Sequence, residues 1–517
     1  MTVAPQAPEL DVVDPFVHDS RRLRSILFAM ITALVAVIAA MSGLNVAQQQ
    51  LAVDLGASQG AVLWIINAYT LALAALLMPV GAIGDRYGRK PVLLAGLVIF
   101  GISSVAAVFA SSAVAMIVAR SFAGLGAAMI MPVTLSIITS SFPPDERAKA
   151  IGVWAGFAGA GGMIGLFFSS FMIDVLSWRW VFALPIVLVV VALFLSARFA
   201  PNSRESSQHS FDLVGSILSA LGLGGIVLGI HEGPEKGWSH PLTVAGLVIG
   251  VVAILAFVAW ERRHREPLID VALFADRGLS TGTVTLIVMF GVMFGIFLVL
   301  FPFFQAVLGW SALHSASAML PMAAGMMPLS TVAPRIAARF GKRNTMFTGV
   351  VVFGLGLMSM ALFTSVDRGY VSVLPGLLLI GVGMGLTMTP STEVITENLP
   401  AEKQGVASAI NDTSRELGGA VGVALLGSIF SAGYRAAVEP KLDGIDPALV
   451  DKASEGIGQA YAVAQQAGES APRIIDAAQR ALVDGWTGAM WVGVGIAAAT
   501  ALFVFFRGPE REIREPR

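Results

Sequence analysis

The run GAIGDRYGRKP, from Gly81 to Pro91, lies between two long apolar stretches, and its centre returns later in the chain. DRYGRK, from Asp85 to Lys90, reappears as ARFGKR from Ala338 to Arg343, an offset of 253 residues. At an offset of 257 residues, Gly124, Gly126 and Pro143 return as Gly381, Gly383 and Pro400, and Gly161, Gly162 and Gly165 return as Gly418, Gly419 and Gly422. Three features recurring in order at nearly constant spacing mark an internal duplication, which sets the architecture before any single helix is placed. Parallel duplications of this kind build transporters whose halves rock about a site at mid-membrane depth.

The stretches around these runs are apolar. Of 517 residues 56% are hydrophobic and only 13% charged, about half the charged share of a soluble domain. The 55 glycines and 25 prolines suit membrane helices, where small residues admit close backbone approach. A formal net charge of −1 gives no argument for nucleic acid as a partner, and the absence of cysteine removes disulfides, thiolate nucleophiles and cysteine metal sites.

A spanning helix needs roughly 20 apolar residues. That length places spans near 25–47, 60–82, 91–110, 113–138, 150–173, 179–198, 213–231, 241–260, 281–306, 312–334, 345–364, 371–397, 405–431 and 486–506. The expected fold is an all-α membrane protein of fourteen helices. A tail over 1–24 precedes a six-helix bundle over 25–200, a linker with two inserted helices over 201–280, a second six-helix bundle over 281–506 and a tail over 507–517. Basic residues concentrate in alternate short loops, among them Arg86, Arg89, Lys90, Arg147, Lys149, Arg339, Lys342 and Arg343, whereas the intervening loops hold only Arg179, Lys236 and Arg368. Both termini are therefore expected in the cytoplasm, with the chain in the cytoplasmic membrane. Residues 432–485, polar and Ala-rich, read as helical hairpins on the outer side. The first apolar stretch is too long for a signal peptide and reads as a retained helix.

The glycine-framed run at Gly81–Pro91 resembles the signature between the second and third helices of the major facilitator superfamily. WIINAYTLALAALLMPV from Trp64 is similar to its fourteen-helix drug:proton antiporter branch, as are SWRWVF from Ser177 and ASAINDTSRELGGAVGVALLGSI from Ala407, and Arg120 with Gly124 and Gly126 matches the branch's fourth-helix motif. The resemblance implies the two-bundle fold, export of drugs by alternating access, and a gating role for Gly81, Gly84, Asp85, Arg86, Gly88 and Arg89. It also implies a cavity role for Arg120. The chain departs from the branch where Ala40 stands in place of the first-helix Asp, and where Leu166, Ser169 and Ser170 alter the fifth-helix motif. Proton coupling must then rest on another carboxylate.

Ionisable groups inside a bilayer cost several kcal/mol, so each is a functional candidate. The thirteenth span carries Asp412, Arg415 and Glu416, the two acids four residues apart and on one face. Arg415 is placed to bridge to Asp412, leaving one acid without a partner and able to exchange a proton. Asp412 and Glu416 are the leading candidates for proton coupling, and Glu393 at the inner end of the twelfth span is a third. A neutralised structural pair is the competing account. Asn45, Gln48, Trp64, Asn67, Tyr69, Arg120, Asn411 and Arg415 are candidates to line a substrate cavity, with helix-to-helix hydrogen bonding as the plainer alternative. Met289, Met293, Met322, Met326, Met384 and Met388 offer adaptable apolar surface, though methionine at helical spacing is more often core.

Enzymatic chemistry finds no support. The sequence has no GxxxxGK[ST] loop, and its six histidines form no His-x-x-x-His pair, so no cofactor or metal is expected. The expected partners are a small hydrophobic or amphiphilic substrate, protons and membrane lipids, with the chain a monomer. Two other readings remain open at this stage: a lipid or lipid-like metabolite transporter without the usual coupling, and a membrane receptor or scaffold that transports nothing.

Overall fold

The computed structural model describes residues 16–57, 59–203, 211–400 and 403–509; the acidic N-terminal tail, Arg204 and the last residues of the C-terminal tail lie outside them. The described residues form seventeen α-helices joined by short turns and carry no strand. In chain order they are α1 (Ser20–Asp54), α2 (Gln59–Tyr87), α3 (Arg89–Val108), α4 (Ala113–Ser141), α5 (Pro144–Val175), α6 (Ala183–Phe199), α7 (Leu213–Lys236), α8 (Pro241–Glu261), α9 (Arg277–Pro302), α10 (Ala312–Ser317), α11 (Leu320–Phe340), α12 (Lys342–Phe363), α13 (Leu374–Glu397), α14 (Gln404–Val438), α15 (Pro447–Ser454), α16 (Ile457–Ala464) and α17 (Ala471–Arg507). Fourteen segments are long and apolar enough to cross a membrane, with α10 and α11 making one of them.

Glycine sets which helices meet. In the first half, α1 packs on α5 and α6, and α4 packs on α2 and α3. A Cβ on Gly165 of α5 would lie 2.5 Å from Cα of Ala39 on α1, and one on Gly126 of α4 would lie 2.8 Å from Phe100 on α3. The altered fifth-helix motif therefore keeps a close α1–α5 crossing through Gly165. In the second half, α9 packs on α14, α13 on α11 and α12, and α17 on α12 and α14. Here Gly291 and Gly422 bring the α9 and α14 backbones into direct contact. The six methionines singled out above are all buried, which makes them core.

The inserted helices form a glycine-packed hairpin in which Gly225 and Gly229 of α7 face Gly246 and Gly250 of α8. Helix α7 also packs against α2 and α14, whereas α8 packs on α7 and presents Val244, Val248, Val251 and Leu255 outward.

The segment 432–485 differs from the expected hairpins. Helix α14 continues to Val438 and α17 begins at Ala471, so helices of 35 and 37 residues run to roughly 50 and 55 Å, well beyond the ~30 Å hydrocarbon core. The two short helices α15 and α16 close the gap between their protruding ends. Tyr434 donates to the Ala453 carbonyl at 3.1 Å, Arg473 to the Asp443 carbonyl at 2.8 Å, and Gln479 to the Tyr461 hydroxyl at 2.8 Å. Leu442, Ala453, Ala460, Ile474 and Leu482 are buried among them. The alternation of Ala and polar residues that reads as separate hairpins is thus the inward and outward faces of one small cap.

Candidate functional site

Two sets of polar residues on α14 reach across to the first half of the chain. At the end of the molecule where α2 meets α3, Gly88 adopts φ +106°, a conformation that favours glycine. The turn lets α3 start at Arg89 and leaves Asp85 on the last turn of α2 with its carboxylate free to reach across. Arg89 donates to Asp85 Oδ1 from Nε at 3.0 Å and from Nη2 at 2.8 Å. The backbone amides of Gly405 and Val406 donate to Oδ1 at 2.8 Å and to Oδ2 at 3.1 Å. These amides belong to the first turn of α14, so Asp85 caps the N-terminus of a helix 320 residues away and meets the positive end of its dipole. Gly81 makes the approach possible, because a Cβ there would lie 2.7 Å from the Gly405 carbonyl oxygen. Gly84 is buried against Val133.

The cation that pairs with Asp85 is Arg89, one helical turn away, while Arg86 points outward and lies over the Tyr87 ring. Side chains one apart on a helix do not share a face, so Asp85 and Arg86 have no means of pairing.

Two turns further along α14 lies the acidic cluster. Asp412 is wholly buried; its Oδ1 lies 3.6 Å from Arg415 Nη1 and accepts from Asn411 Nδ2 at 3.2 Å, while Oδ2 has no hydrogen-bond partner. Asn411 is held in turn by the Thr392 hydroxyl at 2.9 Å. Arg415 donates from Nη2 to the Ala158 carbonyl of α5 at 3.3 Å, and its guanidinium lies over the rings of Phe290 and Trp154. Glu416 accepts no hydrogen bond from any described residue. It lines a cavity of about 100 Å³ with Met41, Thr70, His231, Phe294 and Gly419.

Arg120 sits close by. Its guanidinium is 2% exposed and rests 4.3 Å from the centre of the Tyr69 ring, with no carboxylate partner among the described residues. Tyr69 donates to the Val37 carbonyl at 3.0 Å and interacts electrostatically with both Arg120 and Glu416. The structure thus brings Tyr69, Arg120, Asn411, Asp412, Arg415 and Glu416 into one buried region. The remaining candidates lie apart from it. Gln48, Trp64 and Asn67 are half-buried toward the opposite end of α1 and α2, and the side chain of Asn45 is outside the described residues. Glu393 is buried near the latch end, 3.7 Å from Lys342 Nζ, which also pairs with Glu397.

Several contributors carried no sequence signal. Trp154, Phe290 and the Ala158 carbonyl surround Arg415 from other helices, and His231 reaches Glu416's cavity from an inserted helix that the duplication leaves without a counterpart. Outside the spans, Asp54 accepts from Trp178 Nε1 at 2.8 Å and Arg179 Nη1 at 3.0 Å. These bonds, the one from Trp178 first, hold its carboxyl below the usual carboxylate value. The pairing ties the end of α1 to the turn before α6.

Two bundles joined through Asp85, with a buried charge cluster on one crossing helix, describe a transporter. The sequence profile of the Major Facilitator Superfamily matches residues 28–423. The chain belongs to that superfamily. It is 31% identical over 409 residues to the multidrug resistance protein Stp of Mycobacterium tuberculosis, an alignment covering 79% of this chain and 76% of Stp. It is 32% identical to the multidrug efflux pump LfrA of Mycolicibacterium smegmatis, covering 88% and 91%, and 30% identical to the tetracenomycin C resistance and export protein of Streptomyces glaucescens, covering 94% and 91%. Among solved structures, the human organic anion transporter MFSD10 superposes with a TM-score of 0.60 at 12% identity, covering 94% of this chain and 99% of that one. The proton:xylose symporter XylE gives 0.60 at 15% identity, covering 95% and 97%. The chain is a multi-pass membrane transporter of the efflux type, and not an enzyme.

Proposed function

We propose that this transporter exports hydrophobic or amphiphilic small molecules, drugs among them, across the cytoplasmic membrane in exchange for protons. Residues 25–200 and 281–506 rock as two six-helix bundles, the chain works as a monomer, and both termini face the cytoplasm, as the alternation of basic loops supports. The names of the relatives support a drug-like substrate.

One observation supports the coupling: α14 holds both the buried acidic cluster and the amides that donate to Asp85 in the latch. Asp412 lies six residues from Val406, about 9 Å along the helix. Charge on the acids sets how strongly Arg415 is held within α14 and how strongly it reaches the Ala158 carbonyl on the other bundle. Protonating Glu416 and Asp412 removes Arg415's counter-charge, and a buried cation without one is strained by several kcal/mol. That strain is relieved by moving α14 relative to α5, which also moves Gly405 and Val406 relative to Asp85. Glu416, free of hydrogen bonds and facing the cavity, exchanges the proton; Arg120 on Tyr69 closes the other wall and meets the substrate. Glu393, already paired with Lys342, is left with a part at the latch end.

The test is ethidium transport in proteoliposomes under an imposed pH gradient. Asp412→Asn and Glu416→Gln are expected to abolish gradient-driven accumulation while retaining ethidium binding. Unchanged accumulation in both variants would remove proton coupling from α14.

A further inference from the structure

The duplication accounts for twelve of the fourteen spans and gives α7 and α8 no task. Yet α7 is not peripheral. It packs on α2 and α14, one helix from each half, and Gly224 brings it within 3.2 Å of Ala75, measured from the position a Cβ would take. Of the two inserted helices, α8 is the one on the outside, packed on α7 with Val244, Val248, Val251 and Leu255 exposed.

Along α7, His231 faces the cavity that holds Glu416. Its imidazole makes no hydrogen bond to a described residue. The neighbouring Glu232 is buried and ion-paired at 2.6 Å with Lys236, whose side chain is 37% exposed at the end of α7 far from the latch. Among the residues whose side chains are described, the charged and titratable groups on the elements around this stretch are Glu232 and Lys236 on α7, His240 at the start of α8, Tyr69 on α2, and Asp412, Arg415 and Glu416 on α14; the side chain of Glu235 lies outside them. Among them, only Glu416 shares the cavity with His231. The volume of about 100 Å³ has room for a few ordered waters, and both lining groups offer them polar partners.

We propose that His231 is the proton relay of Glu416, so that the inserted helix supplies the route between the buried carboxylate and the water at the far end of the molecule. An imidazolium passes its proton, directly or through cavity water, to the Glu416 carboxylate, giving neutral imidazole and a carboxylic acid. The imidazole then takes a proton from the aqueous side and is reset. Histidine suits the step because its two nitrogens accept and donate near neutral pH. The proposal rests on the reading that Glu416 carries the coupled proton.

The experiment compares two transport modes in proteoliposomes with ethidium as probe. Counterflow exchanges labelled for unlabelled ethidium and needs no net proton movement; gradient-driven accumulation does. His231→Gln is expected to lower gradient-driven accumulation at least tenfold and to leave counterflow within twofold of the unaltered protein. His231→Ala is expected to regain accumulation when imidazole is added to the buffer, a rescue that a structural role would not give. Full gradient-driven transport in His231→Gln with a defective Glu416→Gln overturns the relay alone. Full transport in Glu416→Gln overturns the coupling assignment and the relay with it. Equal loss of counterflow and accumulation in both His231→Gln and His231→Asn overturns the relay in favour of a wall or substrate contact.

Discussion

The duplication places two crossings between the halves at the same end of the molecule, α2 against α14 and α11 against α5, and they are not equivalent. Both are built on glycine. A Cβ at Gly81 would lie 2.7 Å from the Gly405 carbonyl oxygen, and one at Gly152 would lie 2.5 Å from that of Ser330. In each, the first-named helix ends in a positive-φ glycine turn, at Gly88 with φ +106° and Gly341 with φ +89°. Among the described residues, the first has a carboxylate bonded across the interface to the facing helix's amides. Asp85 caps α14 and binds Arg89, whereas the repeat places Ala338 at the matching position, so the first turn of α5 receives no carboxylate from α11. One crossing is a packed seam; the other is a packed seam with an electrostatic lock. The helix that is locked is the one bearing Asp412 and Glu416, which is where the proposed coupling would use the asymmetry.

The strongest way to break this contrast is to remove the lock. Asp85→Ala leaves Arg89 buried without its partner and the amides of Gly405 and Val406 uncapped. Breaking a buried pair costs about 3–5 kcal/mol, so the closed state is expected to lose at least ~100-fold in population. Spin labels at the exposed positions Tyr87 and Phe340 would show this as a longer distance by pulsed electron resonance; an unchanged distribution would leave the carboxylate without a latching role. Packing should count about equally at both seams. Gly81→Ala and Gly152→Ala are each expected to destabilise the closed state by roughly 1–3 kcal/mol, read with the same labels, and a large effect at only one would mean that the two seams differ in more than charge. The smallest effect comes from adding what is missing. Ala338→Asp places an acid where the repeat lacks one, and a new cap on α5 is expected to favour the closed state by up to ~1 kcal/mol, slowing ethidium transport by severalfold.

The same contrast shows what a linear sequence holds. Fourteen spans and the duplication were legible because span length and recurring glycines are local signals, and the resemblance at Gly81–Pro91 named the gating loop. The acids of α14 were legible too, since Asp412 and Glu416 stand out in an apolar stretch. Their surroundings were not. That Asp85 meets Gly405 and Val406, that Arg120 lies on Tyr69, and that Arg415 reaches the Ala158 carbonyl are facts of helix rotation and tilt, which apolar periodicity leaves undetermined when every face of a helix is apolar. The resemblance implied a gating role for both Arg86 and Arg89, but only the helix geometry shows that Arg89 is the one bonded to Asp85. His231 went unremarked because a lone histidine near a span end carries no pattern. The cap over residues 432–485 was misjudged in form, as extended spans with amphipathic ends resemble separate surface helices.

The account's central claim is that protonation on α14 is felt at the Asp85 latch. It is tested most directly by following the Tyr87 to Phe340 label distance as pH is lowered from about 8 to about 5, the interval in which physiological proton exchange occurs, in the unaltered protein and in the Asp412→Asn, Glu416→Gln double variant. The account predicts a distance distribution that shifts with pH in the first and stays fixed in the second. An identical pH response in both would contradict it.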